Sequence, residues 1–126
     1  MILEKIKLKN FRNFEEREFS FAEGKNLIVG PNTAGKTNLL EAIYLFSSGQ
    51  SFRAKKIEEM VHFGQEVAHL EARVGGEEKR QLQIVLTNGQ VGGQRTVLSR
   101  WLVNGVAKTK GNFLGNFLAV IFRPED

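Results

Sequence analysis

One eight-residue stretch constrains this chain more than any other. Gly30-Pro31-Asn32-Thr33-Ala34-Gly35-Lys36-Thr37 satisfies the pattern G-x-x-x-x-G-K-[ST]. The run before it, "NLIVG", is short, apolar and unbroken, which predicts a strand covered on both faces. The run after it spaces Leu39, Leu40, Ile43 and Phe46 along one side of a helix, with Gly49 as a natural stop. A loop between such a strand and such a helix turns several unpaired backbone N–H groups toward one point. The helix dipole adds positive potential there. Triphosphate oxygens fill a concavity of that kind.

Each residue type in the loop has a physical task. Glycines at its ends let the backbone wrap a phosphate with no side chain in the way. Lys36 reaches the β- and γ-phosphates and stabilises charge on them, and the Thr37 hydroxyl is placed to ligate Mg²⁺. The predicted cofactor-binding set is therefore Gly30, Pro31, Asn32, Thr33, Ala34, Gly35, Lys36, Thr37 and the adjoining Asn38, with ATP and Mg²⁺ as cofactors and Thr37 as the metal ligand. Thr33 is β-branched and poorly suited to positive φ. Either residue 33 keeps φ negative or Asn32 takes the left-handed position.

The rest of the chain supplies the frame. In "MILEKIKLKNF", Ile2, Ile6 and Leu8 share one parity and Lys5, Lys7 and Lys9 the other, as in a half-exposed strand. "FEEREFSF" reads as its antiparallel partner, with Phe19 and Phe21 inward and Arg12-Asn13 at the turn. A short helix is predicted over "KKIEEMVHFG". Beyond it the period becomes two. Ala68, Leu70, Ala72 and Val74 alternate with polar residues, then Leu82, Ile84 and Leu86 do so after "GGEE", which predicts a hairpin. "NGQVGGQ" and "VNGV" punctuate two further strands, and Asn104-Gly105 is a strong two-residue turn signal. "LAVIF" reads as another buried strand before "RPED". The predicted fold class is α/β: a P-loop nucleotide-binding unit of strand, loop and helix, with an antiparallel β subdomain over about residues 67–110.

Composition narrows the setting. The 126 residues include no Cys, which excludes disulfides and thiolate metal sites. No apolar run approaches the roughly 20 residues needed to span a bilayer, and the charged N-terminus is not a signal peptide, so a cytoplasmic protein with no membrane partner is expected. A net charge of +4 suits an acidic partner such as nucleic acid, or serves solubility. His62 and His69 are too isolated to form a metal site. Arg53, Lys55 and Lys56 form a small basic cluster that either meets DNA phosphate or is a solvated face, the second being the simpler reading. The ten Phe fall at inward strand or helix positions and read as core, not as platforms for stacking bases.

"LKNFRNF" at 8–14, "GKNLIVGPNTAGKTNLLEAIYLFSSGQSFR" at 24–53 and "FRPED" at 122–126 together resemble the RecF family, the bacterial DNA replication and repair ATPases related to ABC-type and SMC heads. Thr33, where the family usually has Gly, and Arg123, where Ser is commoner, depart from its pattern. The resemblance implies the N-terminal part of an ABC-type head, residues 1–126, with the remainder of the head absent. It implies ATP binding, ATP-dependent homodimerisation, and binding to single-stranded DNA or gapped duplex. It also implies action with RecO and RecR in loading RecA at gaps and in the SOS response. It places Arg12 beside the nucleotide, while the residues alone allow a plain turn arginine. A complete ATPase of this class needs a strand-end acidic pair and a signature loop. Glu125 and Asp126 lie past Pro124, so the catalytic set is incomplete here, and these residues alone are expected to be inactive, whereas the resemblance implies a weak DNA-dependent ATPase as the parent protein. The alternatives are a head fragment of another SMC-like repair ATPase and a nucleotide-binding module without hydrolysis.

Overall fold

Period-two patterning dominates what forms. The computed structural model describes residues 2–21, 34–75 and 78–116. Strands β1 (Ile2–Phe11), β2 (Phe14–Ser20), β3 (Val67–Gly75), β4 (Arg80–Thr87), β7 (Ser99–Val103) and β8 (Val106–Lys108) make one six-stranded sheet in the order β2-β1-β3-β4-β7-β8. Every pairing in it is antiparallel. A separate two-stranded ribbon joins β5 (Gln90–Val91) and β6 (Gln94–Arg95). Strands β3, β4, β7 and β8 thus share a sheet with β1 and β2, because β3 pairs along β1 from Ile2↔Gly75 to Lys9↔His69. The predicted strands "NLIVG" and "LAVIF", and loop residues Gly30 to Thr33, lie outside the described residues.

Register brings the apolar residues into rows. Leu8 pairs with Leu70, Leu70 with Ile84 and Ile84 with Trp101, so one row crosses four strands on one face. The neighbouring row runs Ile6, Ala72, Leu82. Directly opposite partners point to the same side of a sheet, and all of these are buried. Burying each of the larger ones contributes about 1.5–3 kcal/mol. Helix α1 (Ala34–Ser48) gives Leu39, Ala42, Ile43, Leu45 and Phe46 to the same core. Phe113, on the four-residue helix α2 (Lys110–Phe113), joins the two layers, its ring 6.3 Å from that of Phe46 and 5.2 Å from that of Trp101. Helix α1 ends where predicted: Gly49 has φ 77° and donates its N–H to the Leu45 carbonyl at 2.9 Å. Among the described residues no helix is long and apolar enough to cross a membrane.

Three local expectations need correction. The helix predicted over "KKIEEMVHFG" is only a 3-10 turn, Ile57–Met60. It stops because the next residues pair with the β1–β2 turn: Arg12 N–H donates to Met60 O at 2.9 Å, His62 N–H to Asn10 O at 2.7 Å, and Phe11 bridges Val61. Asn10, at φ 55°, adds a left-handed residue near the end of β1 and sends Phe11 into the core. Nor do all the Phe residues line the interior, for Phe63 is 97% exposed on the turn that follows. Finally, residues 90–108 hold four short strands, β5 to β8, where two were expected.

The Asn104-Gly105 turn forms as predicted, both residues at positive φ (51° and 81°), between β7 and β8. Gly105→Ala is expected to cost about 1 kcal/mol, because no contact blocks the new methyl but the left-handed backbone strains any residue with a Cβ. Urea unfolding of the two proteins measures it.

Candidate nucleotide site

The described part of the predicted phosphate loop is the first turn of α1. Ala34, Gly35, Lys36 and Thr37 open this 15-residue helix, and its first turn carries no acidic side chain. The N–H groups of a first turn have no partner within the helix, and the dipole there is positive. Lys36 and Thr37 are half-buried at this end. Lys36 and Thr37 thus stand on a helix end whose backbone favours anions.

Directly behind that turn lies a polar cluster that neither spacing nor composition announced. Glu41 is fully buried, with two arginines on it. Arg12 grips it side-on: Nε donates to Oε1 at 2.8 Å and Nη2 to Oε2 at 2.7 Å. Arg53 Nη2 donates to Oε1 at 3.0 Å and also to the Oδ1 of Asn38. The Ser51 hydroxyl donates to Oε2, and Asn38 Nδ2 donates to Asn13 Oδ1. Burial by itself would raise the Glu41 pKa. The hydrogen bonds from Arg12, Arg53 and Ser51 outweigh it, and the carboxyl lies below the ordinary carboxylate value. No buried side-chain nitrogen or oxygen among the described residues lacks a partner.

Three segments meet at this carboxylate: the β1–β2 turn through Arg12 and Asn13, α1 through Asn38 and Glu41, and the loop after α1 through Ser51 and Arg53. Arg12 is held on its backbone as well. It sits at φ 53°, its N–H bonded to Met60 O and its carbonyl accepting from His62 Nδ1 at 2.5 Å. His62 therefore has a structural task. Asn38 is buried and ties the end of the loop motif to Asn13 and Arg53. The guanidinium of Arg53 joins this network although the residue is exposed, as Lys55 and Lys56 are. The available signal was Glu41 itself, an acid three residues after Asn38 and four before Leu45, in a second buried row of α1.

The RecF/RecN/SMC N-terminal domain model matches residues 2–116. The chain belongs to that family. Within it the likeness is to RecF. The DNA replication and repair protein RecF of Caldanaerobacter subterraneus subsp. tengcongensis is 42% identical over 127 residues, covering 100% of this chain and 34% of that protein. RecF of Lactobacillus gasseri is 37% identical, covering 100% of the chain and 32% of the relative. The chain thus spans about a third of the length of the curated relatives it matches. A solved structure of the recombination mediator protein RecF with ATPrS, in the RecFOR pathway, superposes with a TM-score of 0.81 at 40% identity, over 98% of this chain and 32% of that one. The SMC head domain of Thermotoga maritima has a TM-score of 0.66 at 23% identity, over 89% of this chain and 40% of that one, a likeness of fold alone. The fold is that of RecF and SMC heads, a P-loop ATPase architecture.

Proposed function

We propose that this chain is the ATP-binding part of a RecF-type DNA repair and replication protein. Gly30 to Thr37 would cradle the triphosphate, Lys36 would stabilise charge on the β- and γ-phosphates, and Thr37 would ligate Mg²⁺. Arg12, which donates to Glu41 of α1, and Asn38, which accepts from Arg53, would contribute beside the phosphates. The observation that carries the reading is Lys36 and Thr37 on the acid-free first turn of α1, in a chain whose RecF relatives include solved structures named with ATP and ATPrS. The full-length protein would dimerise head to head around ATP and bind single-stranded DNA or gapped duplex. It would act in the cytoplasm with RecO and RecR in loading RecA and in the SOS response, as a weak DNA-dependent ATPase.

Calorimetry with Mg-ATP, with and without Mg²⁺, tests the core of this reading. Saturable binding that weakens when the metal is removed supports it, and absence of binding overturns it. Sedimentation of the full-length protein should give dimers with ATP and monomers without nucleotide. DNA affinity should fall steeply with added salt, because the contacts would be Lys and Arg on phosphate. Salt-insensitive binding would contradict that picture of the DNA interface.

A further inference from the structure

We propose that Glu41 is a positioning residue, holding the Arg12 and Arg53 guanidinium groups so that their surplus positive charge acts on the phosphates bound at the start of α1. This rests on the ATP-binding reading above. Glu41 has no exposed surface, and the side chains of Arg12 and Arg53 are 21% and 34% exposed. One carboxylate against two guanidinium groups leaves one net positive charge. Glu41 lies four residues after Thr37, roughly 6 Å along the helix axis. Helical side chains lean toward the N-terminus, so the cluster stands nearer the phosphates than its Cα atoms do. That separation is within the roughly 8 Å over which salt leaves charges coupled.

A lone carboxylate at this position would repel phosphate. Two arginines on it, Arg12 as a fork and Arg53 through Nη2, reverse the sign, and the geometry keeps both in place. Arg12 spends two donors on Glu41, and Arg53 bonds Glu41 and Asn38 together, so neither guanidinium can turn away without breaking charge-assisted bonds. Arg12 and Arg53 reach the carboxylate from separate segments, 29 and 12 residues from it in sequence. Glu41 therefore also links the β1–β2 turn and the loop after α1 to the helix that would carry the nucleotide.

The test is a cycle of Mg-ATP affinities by calorimetry on the full-length protein, with Glu41→Gln made in the wild-type and in an Arg12→Met, Arg53→Met background. Glutamine keeps the shape but cannot satisfy two guanidinium groups. The expected result is about tenfold weaker binding in the wild-type background, and no weakening once the arginines are gone, where the substitution instead removes a lone carboxylate that repels phosphate. A purely structural glutamate would cost the same in both backgrounds, and that outcome overturns the proposal. Arg53→Met is the second variant, because it removes the surplus charge from a partly solvated loop and leaves the Arg12–Glu41 pair intact. Several-fold weaker binding supports the proposal, and unchanged binding overturns it. Lys36→Ala is the control: if wild type binds Mg-ATP and Lys36→Ala does not, while the Glu41 and Arg53 variants bind as wild type, this inference fails and the ATP-binding reading stands. If wild type itself does not bind, the reading fails instead.

Discussion

Lys36→Ala is expected to weaken Mg-ATP binding by about two orders of magnitude while shifting the melting temperature by no more than about 2 °C. The asymmetry follows from position. Lys36 lies in the first turn of α1, half-buried, outside the core cluster of apolar residues. Its ammonium would donate charge-assisted hydrogen bonds to the β- and γ-phosphates, and a truncated side chain leaves those oxygens with the backbone N–H groups and the metal alone. Thr37→Ala should behave differently. Its loss should appear chiefly in the Mg²⁺ dependence, with metal-free binding little changed. Calorimetry with and without Mg²⁺ separates the two, and equal ATP affinity in wild type and Lys36→Ala would remove the phosphate site from this loop.

Where a side chain's role depends on a local period, the sequence was readable. The alternation in β3 and β4 survives because one face of that sheet is buried and the other is wet, so Ala68, Leu70, Ala72 and Val74 can only point one way. Helix α1 is readable for the same reason, with Gly49 as its stop. Ile57, Met60 and Val61 have helical spacing, yet only a 3-10 turn forms there. What decides that segment is its backbone pairing with residues 10–12, nearly fifty positions away, and pairing of that range leaves no mark on local periodicity. Phe63 shows the limit of reading burial from residue type, since a turn at positive-φ Gly64 leaves its ring in solvent. The Glu41 cluster was illegible for the same physical reason as the 60–62 pairing. Arg12, Glu41 and Arg53 come from three segments, and only the fold puts them within hydrogen-bond reach. Of the candidate site, the motif was plain from the sequence, whereas what stands behind it was not.

That cluster has a consequence for stability with a definite sign. Glu41→Ala is expected to lower the unfolding free energy by about 3 kcal/mol at neutral pH, because it strands two partly buried guanidinium groups without their carboxylate. The folded pKa of Glu41 lies below its ordinary value of 4.5, for the three hydrogen-bond donors favour the ionised form more than burial opposes it. Its contribution is therefore fully present above the unfolded pKa and disappears as pH falls through the folded one. The gap between wild type and Glu41→Ala should stay near its neutral value down to about pH 5 and narrow below it. Urea unfolding across that window measures the gap directly, and a gap independent of pH would show that Glu41 stabilises by packing and not by charge. Replacing all three partners with apolar residues of similar size, Glu41→Leu with Arg12→Met and Arg53→Met, should recover much of the lost stability, since no charge is left buried and unpaired. The same triple variant should still bind Mg-ATP poorly, because the surplus positive charge behind α1 is gone. Stability regained with affinity still lost would separate the two roles of one network. The ion cluster would then be retained for what it does at the phosphates, because an apolar core of the same shape holds the fold as well.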